Sequence, residues 1–302
     1  MLNSSRNDDP EFNAFVKYYH AVDSDISLVC KGKSPQAGSK KIELEIDRKI
    51  QQNPAYSILV GQSELIKKVK RDIYFVKDKD CKVLFAGESG TGKSLAARVL
   101  HNVSQYGNKR FVNVNVGALH REMIETTLFG SVKGAYTDAQ DRKGLISMAS
   151  GGTLFMDEIG ELPLSCQPQL LHALDCGSYR RVGSDKEELA STRFVFATNS
   201  NLKKLVSRKK FREDLYWRIA EFVIEIPALR ERKEDIIQIA ESFLAELNEQ
   251  DYKNRKYLCP DAKDKLLSYN WPGNIRELRT CLKIATIYSK GDKIEASDIR
   301  FV

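Results

Sequence analysis

No stretch of the chain stays apolar for anything near the ~18 residues of a membrane span, so no spanning helix is expected. Cys30, Cys81, Cys166, Cys176, Cys259 and Cys281 form no C-x-x-C pair and show no metal-ligand spacing. They read as buried or incidental thiols in a reducing compartment. His20, His101, His120 and His172 make no H-E-x-x-H, so a zinc centre is not expected. Gly87-Glu88-Ser89-Gly90-Thr91 is not a nucleophile elbow, because Thr91 stands where the second flanking glycine belongs. Internal repeats and low-complexity tracts are also missing. The polar start, Met1 to Arg6, is no signal peptide, and a cytoplasmic location is expected.

What remains is an ordinary globular composition. The chain has 302 residues, 42% hydrophobic and 29% charged, which suffices for one large domain or two smaller ones. A net charge of +7 permits contact with nucleic acid or an acidic partner without requiring it.

One stretch organises the rest. Gly87-Glu88-Ser89-Gly90-Thr91-Gly92-Lys93-Ser94 fits G-x-x-x-x-G-K-[ST] at every fixed position. An apolar, strand-like run, Lys82 to Ala86, precedes it, and the helix-forming Leu95 to His101 follows. In that context the glycines let backbone N–H groups close on phosphate oxygens, and the helix N-terminus adds partial positive charge. Lys93 is placed to reach the β- and γ-phosphates and Ser94 to ligate Mg²⁺.

The regular pattern continues. Leu65 to Val76 predicts a helix, and further strands are predicted at Arg110 to Asn115, Gly152 to Met156, Arg193 to Ala197 and Glu221 to Ile226. Helical stretches separate them, so the fold class is α/β with a mainly parallel sheet covered on both faces. Ligands bind at the carboxyl ends of such strands, where Gly87, Asp157 and Asn199 fall. After Pro227 the strands stop, and helices are predicted at Glu234 to Glu249, Pro260 to Tyr269 and Asn274 to Ser289, with Asn274 as a cap. Before Asn53, Phe12, Phe15, Val16 and Tyr19 suggest a short helix. Lys31 to Lys41 reads as a loop, and alternating Ile42, Leu44 and Ile46 suggest a short strand.

Leu154-Phe155-Met156-Asp157-Glu158 is an apolar strand ending in two acids, as in the second motif of nucleoside triphosphatases. Asp157 is positioned to hold Mg²⁺ and Glu158 to polarise the attacking water.

At this point a family resemblance is plain. From about Ile58 to Ile299 the chain resembles the AAA+ central domain of bacterial enhancer-binding proteins, the activators of sigma-54 RNA polymerase. The matching segments are Gly87 to Lys93, Leu128 to Gly130, Gly151 to Pro163, Tyr179 to Gly183, Phe211 to Tyr216, Leu229 to Asp235 and Trp271 to Leu278. The resemblance implies an AAA+ P-loop fold followed by a small helical lid domain. Boundaries are expected at 1–52 for an N-terminal segment of unknown role, 53–228 for the α/β domain and 229–302 for the lid. It implies an Mg²⁺-dependent ATPase that forms a homo-oligomeric ring, usually a hexamer, with ATP at each subunit interface. By position, Arg212 and Arg218 correspond to the arginine fingers offered to a neighbour's γ-phosphate. Arg276 corresponds to the second sensor, and Thr198-Asn199 to the first. Asn115 matches the asparagine that holds the water-activating glutamate in an inactive pose.

The family's client-contacting loop reads G-A-F-T-G-A, whereas this chain has Gly134, Ala135, Tyr136, Thr137, Asp138 and Ala139. Tyr136 keeps the aromatic tip, while Asp138 adds charge and removes backbone freedom. No helix-turn-helix follows the helical part and no receiver precedes Asn53, so DNA recognition is not evident within the chain. The implied function is an ATP-driven ring that remodels sigma-54 polymerase to activate transcription. The alternative is a remodelling ATPase with a client other than sigma-54, in a signalling or defence assembly. Asp138 and the missing DNA module favour that alternative. A nucleotide-binding scaffold without turnover is a third reading, against which stand Lys93, Asp157, Glu158, Arg212 and Arg218.

Overall fold

The computed structural model describes residues 37–135, 140–250 and 254–301. The chain divides into two compact units, residues 1–54 and 55–302.

Of the first unit, one helix is described, α1 (Ala37–Gln52). This corrects two expectations, a loop extending to Lys41 and a strand through Ile42, Leu44 and Ile46. The alternation was misleading because residues two apart share a strand face but lie on nearly opposite sides of a helix. Ile46 and Ile50, four apart, are buried, and Leu44 is 63% exposed. The helix suggested near Phe12, Phe15, Val16 and Tyr19 lies outside the described residues.

The second unit is built on five parallel strands. In chain order they and their helices are α2 (Glu64–Val76), β1 (Val83–Ala86), α3 (Lys93–Asn102), β2 (Phe111–Asn115), α4 (Ile124–Phe129), β3 (Thr153–Asp157), α5 (Gln167–Cys176), β4 (Arg193–Thr198), α6 (Glu213–Ile219) and β5 (Phe222–Glu225). The spatial order is β2-β3-β4-β1-β5. Val83 to Phe85, Leu154 to Met156 and Val195 to Ala197 are buried without a break, as central strands covered on both faces require. The order decides where the site lies. The chain leaves β1 toward one edge of the sheet and leaves its neighbour β4 toward the other. A crevice therefore opens at their carboxyl ends.

Beyond β5 come α7 (Ile236–Gln250), α8 (Pro260–Ser268) and α9 (Asn274–Tyr288). Strands do not stop altogether at Pro227: Tyr257–Leu258 and Lys293–Ile294 pair in parallel, two residues each, too short to leave a periodic signal. Gly273 occupies the cap position of α9, and Asn274 is the first helical residue, with φ 53° and a fully buried side chain. The capping role expected for Asn274 is therefore replaced by the tertiary one described below.

The helices form their own core around Leu229, Ile236, Leu266, Trp271, Leu278 and Leu282. Trp271 is fully buried. Its Nε1 donates to Leu266 O at 2.9 Å, and Tyr269 and Phe301 meet its ring edge-on at centroid distances of 5.1 and 5.6 Å. Trp271→Ala is expected to destabilise this part by about 3–5 kcal/mol, read as a lower urea midpoint by tryptophan-independent circular dichroism. An unchanged midpoint would remove Trp271 from the core.

Candidate nucleotide site

The loop from Gly87 to Gly92 links β1 to α3 and closes over the carboxyl end of β1. Gly87 N donates to Thr198 O of β4 at 3.2 Å, and Ile226 N donates to Ala86 O at 2.7 Å, so neighbouring strands fix its base. Two glycines are sterically required. A Cβ on Gly87 meets Ile226 O at 2.6 Å, and one on Gly90, where φ is 78°, meets Gly273 O at 2.4 Å.

Inside the loop, Lys93 Nζ donates to Gly87 O at 2.9 Å and Glu88 O at 3.1 Å. Burial holds its ammonium below the usual lysine range, a shift that the Glu158 and Asp157 carboxylates oppose only in part. Those carboxylates favour the charged form that a phosphate requires. Ser94 Oγ donates to Asp157 Oδ2 at 2.9 Å, across from α3 to the end of β3. Glu158 follows in the left-handed region, φ 55° and ψ 48°, a conformation that costs a non-glycine residue about 1–3 kcal/mol and turns its side chain out of the strand's path. One carboxylate oxygen, Oε2, accepts the N–H of Asn199 at 3.1 Å.

The other sequence-selected residues divide by location. Asn115 lies in register with Asp157 on the adjacent strand. Its Oδ1 accepts from Ala118 N at 3.2 Å, while Glu158 is engaged by Asn199. Arg276 reaches the loop, donating to Ser89 Oγ at 3.0 Å. Arg212 caps the start of α6, Arg218 lies in its last turn, and both have partners outside the phosphate loop. Arg212 forms a two-point pair with Asp214, at 3.0 and 2.7 Å. Arg218 meets Asp175 at 2.7 Å, Glu221 at 3.2 Å and Leu174 O at 3.1 Å. Of the client loop, Gly134 and Ala135 are described, and Tyr136, Thr137, Asp138 and Ala139 lie outside the described residues. Ala135 abuts Gly183, and Val132 N donates to Val182 O at 3.1 Å, so the loop's base rests on the turn after Ser178–Arg180.

Three residues were given no role at the phosphate loop by the sequence reading, although their segments were noted and Asn274 was read as a helix cap. Arg230 forms a two-point pair with Glu88, at 2.8 and 2.5 Å. Asn274 donates to Glu88 Oε2 at 3.1 Å and Ser89 O at 3.0 Å, and accepts from Leu229 N at 2.8 Å. Arg232, 2% exposed, donates to Thr91 O at 3.0 Å. Arg230 and then Asn274 hold the Glu88 carboxyl down at about 2, so it is ionised at neutral pH. Only the LRERKED and WPGNIREL segments as wholes signalled these residues, because the partners are far away in sequence.

Beside Thr91 and Gly92 lies a cavity of about 320 Å³ with apolar walls from Ile58, Val60, Leu95, Ile226, Phe243 and Ile275. It has the size and lining of a base pocket, contiguous with the phosphate loop. A cavity of about 340 Å³ near Lys79, Tyr106 and Arg193 adjoins the amino ends of β1 and β4, away from this chemistry. Among the described residues no cluster of three His, Cys, Asp or Glu forms a metal site, and no helix is long and apolar enough to cross a membrane.

A five-stranded parallel sheet with a phosphate loop after β1, two acids after β3 and a helical part packed on that loop defines an AAA+ P-loop protein. Comparison with known families narrows this. Residues 59–225 match the sigma-54 interaction domain and residues 230–301 the AAA+ ATPase lid domain, and the chain belongs to the sigma-54 interaction domain family. It is 39% identical over 255 residues to the regulatory protein LuxO of Vibrio parahaemolyticus, covering 84% of this chain and 56% of LuxO. It is 41% identical over 221 residues to the alginate biosynthesis transcriptional regulatory protein AlgB of Pseudomonas putida, covering 73% and 49%. The crystal structure of NtrX from Brucella abortus in complex with ATP superposes with a TM-score of 0.75 at 29% identity, covering 86% and 57%. The chain thus spans about half the length of these relatives.

Proposed function

We propose that the chain is an Mg²⁺-dependent ATPase that works as a ring and remodels sigma-54 RNA polymerase to activate transcription. In this reading 53–228 is the nucleotide-binding domain and 229–302 its lid. The observation that carries it is the convergence of Lys93, Ser94, Asp157 and Glu158 at the ends of β1 and β3, with Ser94 Oγ 2.9 Å from Asp157 Oδ2. Family membership and the ATP held by the related NtrX structure support it.

The chemistry follows from the residues. Lys93 and the N-terminus of α3 attract the phosphates. Ser94 and Asp157 offer two hard oxygens beside them, a donor set that fits Mg²⁺, which favours one or two protein oxygens completed by phosphate and water. When bound there, Mg²⁺ neutralises charge on the phosphate oxygens. Glu158 takes the proton of the attacking water through the carboxylate oxygen not engaged by Asn199. Arg212 and Arg218, on the flank of α6, serve the site of the adjacent subunit, and Arg276 senses phosphate in its own.

The client contact is assigned to the loop carrying Tyr136 and Asp138. Rings trapped with a transition-state analogue of ATP should retain purified sigma-54. Tyr136→Ala should lose roughly 2 kcal/mol or more of that affinity, about thirtyfold, as a buried aromatic anchor does. Retention of sigma-54 at parental strength by Tyr136→Ala rules the loop out of the contact. Failure of the parent ring to retain sigma-54 favours a different client, toward which the charge of Asp138 already leans.

A further inference from the structure

The phosphate loop is gripped from outside by the helical part, residue by residue. Arg230 holds the Glu88 carboxylate at two points. Asn274 Nδ2 holds Ser89 O at 3.0 Å and Glu88 Oε2 at 3.1 Å. Ile275 N holds Gly90 O at 3.0 Å, and Arg232 holds Thr91 O at 3.0 Å. Four consecutive loop residues, Glu88 to Thr91, are thus tied to four residues of the helical part, Arg230, Arg232, Asn274 and Ile275.

Peptide geometry gives this grip a consequence. In a trans peptide the C=O of one residue and the N–H of the next point in opposite directions. Fixing the carbonyls of Ser89, Gly90 and Thr91 toward the helices turns the N–H groups of Gly90, Thr91 and Gly92 away from them, toward the phosphate side. A glycine-rich loop left alone loses much conformational entropy on adopting one such arrangement. The second consequence is electrostatic. Glu88 brings a negative charge into a cradle for anions, and the Arg230 guanidinium pairs with it at two points.

We propose that Arg230 and Asn274 are positioning residues for phosphate binding: they lock the phosphate loop with its amides directed at the nucleotide and neutralise Glu88 beside it. This rests on the nucleotide-binding reading above. Neither residue touches the reacting atoms. Their removal should therefore weaken ligands that carry phosphate and spare the nucleoside.

The test is the affinity of the full chain for ADP and for adenosine, measured by calorimetric titration and by ligand-observed NMR, with melting temperature recorded. Arg230 is exposed, so Arg230→Ala should fold. It is expected to weaken ADP about tenfold to a hundredfold, the loss of a hydrogen-bonded charge partner, with adenosine affinity unchanged. Arg230→Lys, which keeps the charge and loses the fork, should recover part of the loss. Asn274→Gly is the second variant, because glycine accepts the φ of 53° and the test then removes only the side chain. It should move ADP in the same direction and leave adenosine in place. ADP bound at parental strength by both Arg230→Ala and Asn274→Gly overturns the proposal. So does an equal loss of ADP and adenosine, which marks a general loosening of the pocket. A parent chain that binds neither ligand overturns the nucleotide reading itself and the proposal with it.

Discussion

Arg212→Ala subunits are expected to bind ATP at parental affinity and to hydrolyse it ~10³–10⁵ times more slowly, the range arginine fingers supply in GTPases. A guanidinium placed against the γ-phosphate stabilises charge that spreads over its oxygens in the transition state, and contributes little before that. In one chain Arg212 faces Asp214 and not the loop around Lys93. That pair is exposed and screened by water, so Arg212 is easily released to a stronger partner. Arg218 is held at three points by Asp175, Glu221 and Leu174 O. Trp217, 64% exposed, lies beside it on α6. Mixing separates action between subunits from action within one. Arg212→Ala rings mixed with Glu158→Gln rings form some interfaces that join an intact Glu158 to an intact Arg212, and phosphate release should recover there. No recovery in mixtures shown to exchange subunits, or activity independent of concentration in a protein that sediments as a monomer, places the arginine elsewhere.

Glu158→Gln is expected to lower turnover by ~10²–10⁴, the usual contribution of a general base, with ATP affinity retained. Glutamine preserves the shape and can still accept the Asn199 N–H through its amide oxygen, so the left-handed turn at the end of β3 has no reason to change. What is lost is the basic oxygen to which the proposed hydrolysis assigns the proton of water. Phosphate release at saturating ATP reads the effect directly. A variant as fast as the parent excludes Glu158 as the base.

Much of the candidate site was legible because its chemistry is local. The phosphate loop is eight consecutive residues between a strand and a helix, so its pattern is readable without knowing that Ile226 O and Gly273 O press on Gly87 and Gly90. The acids Asp157 and Glu158 follow an apolar run whose length and composition mark a buried strand. The predicted strands lie within a residue or two of the observed ones, because the central strands are apolar runs bounded by polar residues and β2 alternates apolar and polar residues at Val112 to Asn115. Where the pattern was short, it misled. Ile42, Leu44 and Ile46 fit period two over too few residues to exclude a helix, and α1 is what forms.

By itself, then, the amino-acid sequence determined that this chain carries a phosphate loop, paired acids and a parallel α/β fold, since each follows from neighbouring residues and their periodicity. Only the tertiary structure decided the strand order β2-β3-β4-β1-β5, which sets Ser94 against Asp157 across 63 positions of chain. It alone converted Asn274 from a helix cap into a hub on the phosphate loop, and it alone joined Arg230 to Glu88 across 142 positions. No periodicity encodes such pairs, because their separation is closed by the packing of the helical part on the sheet and not by any rule of local geometry.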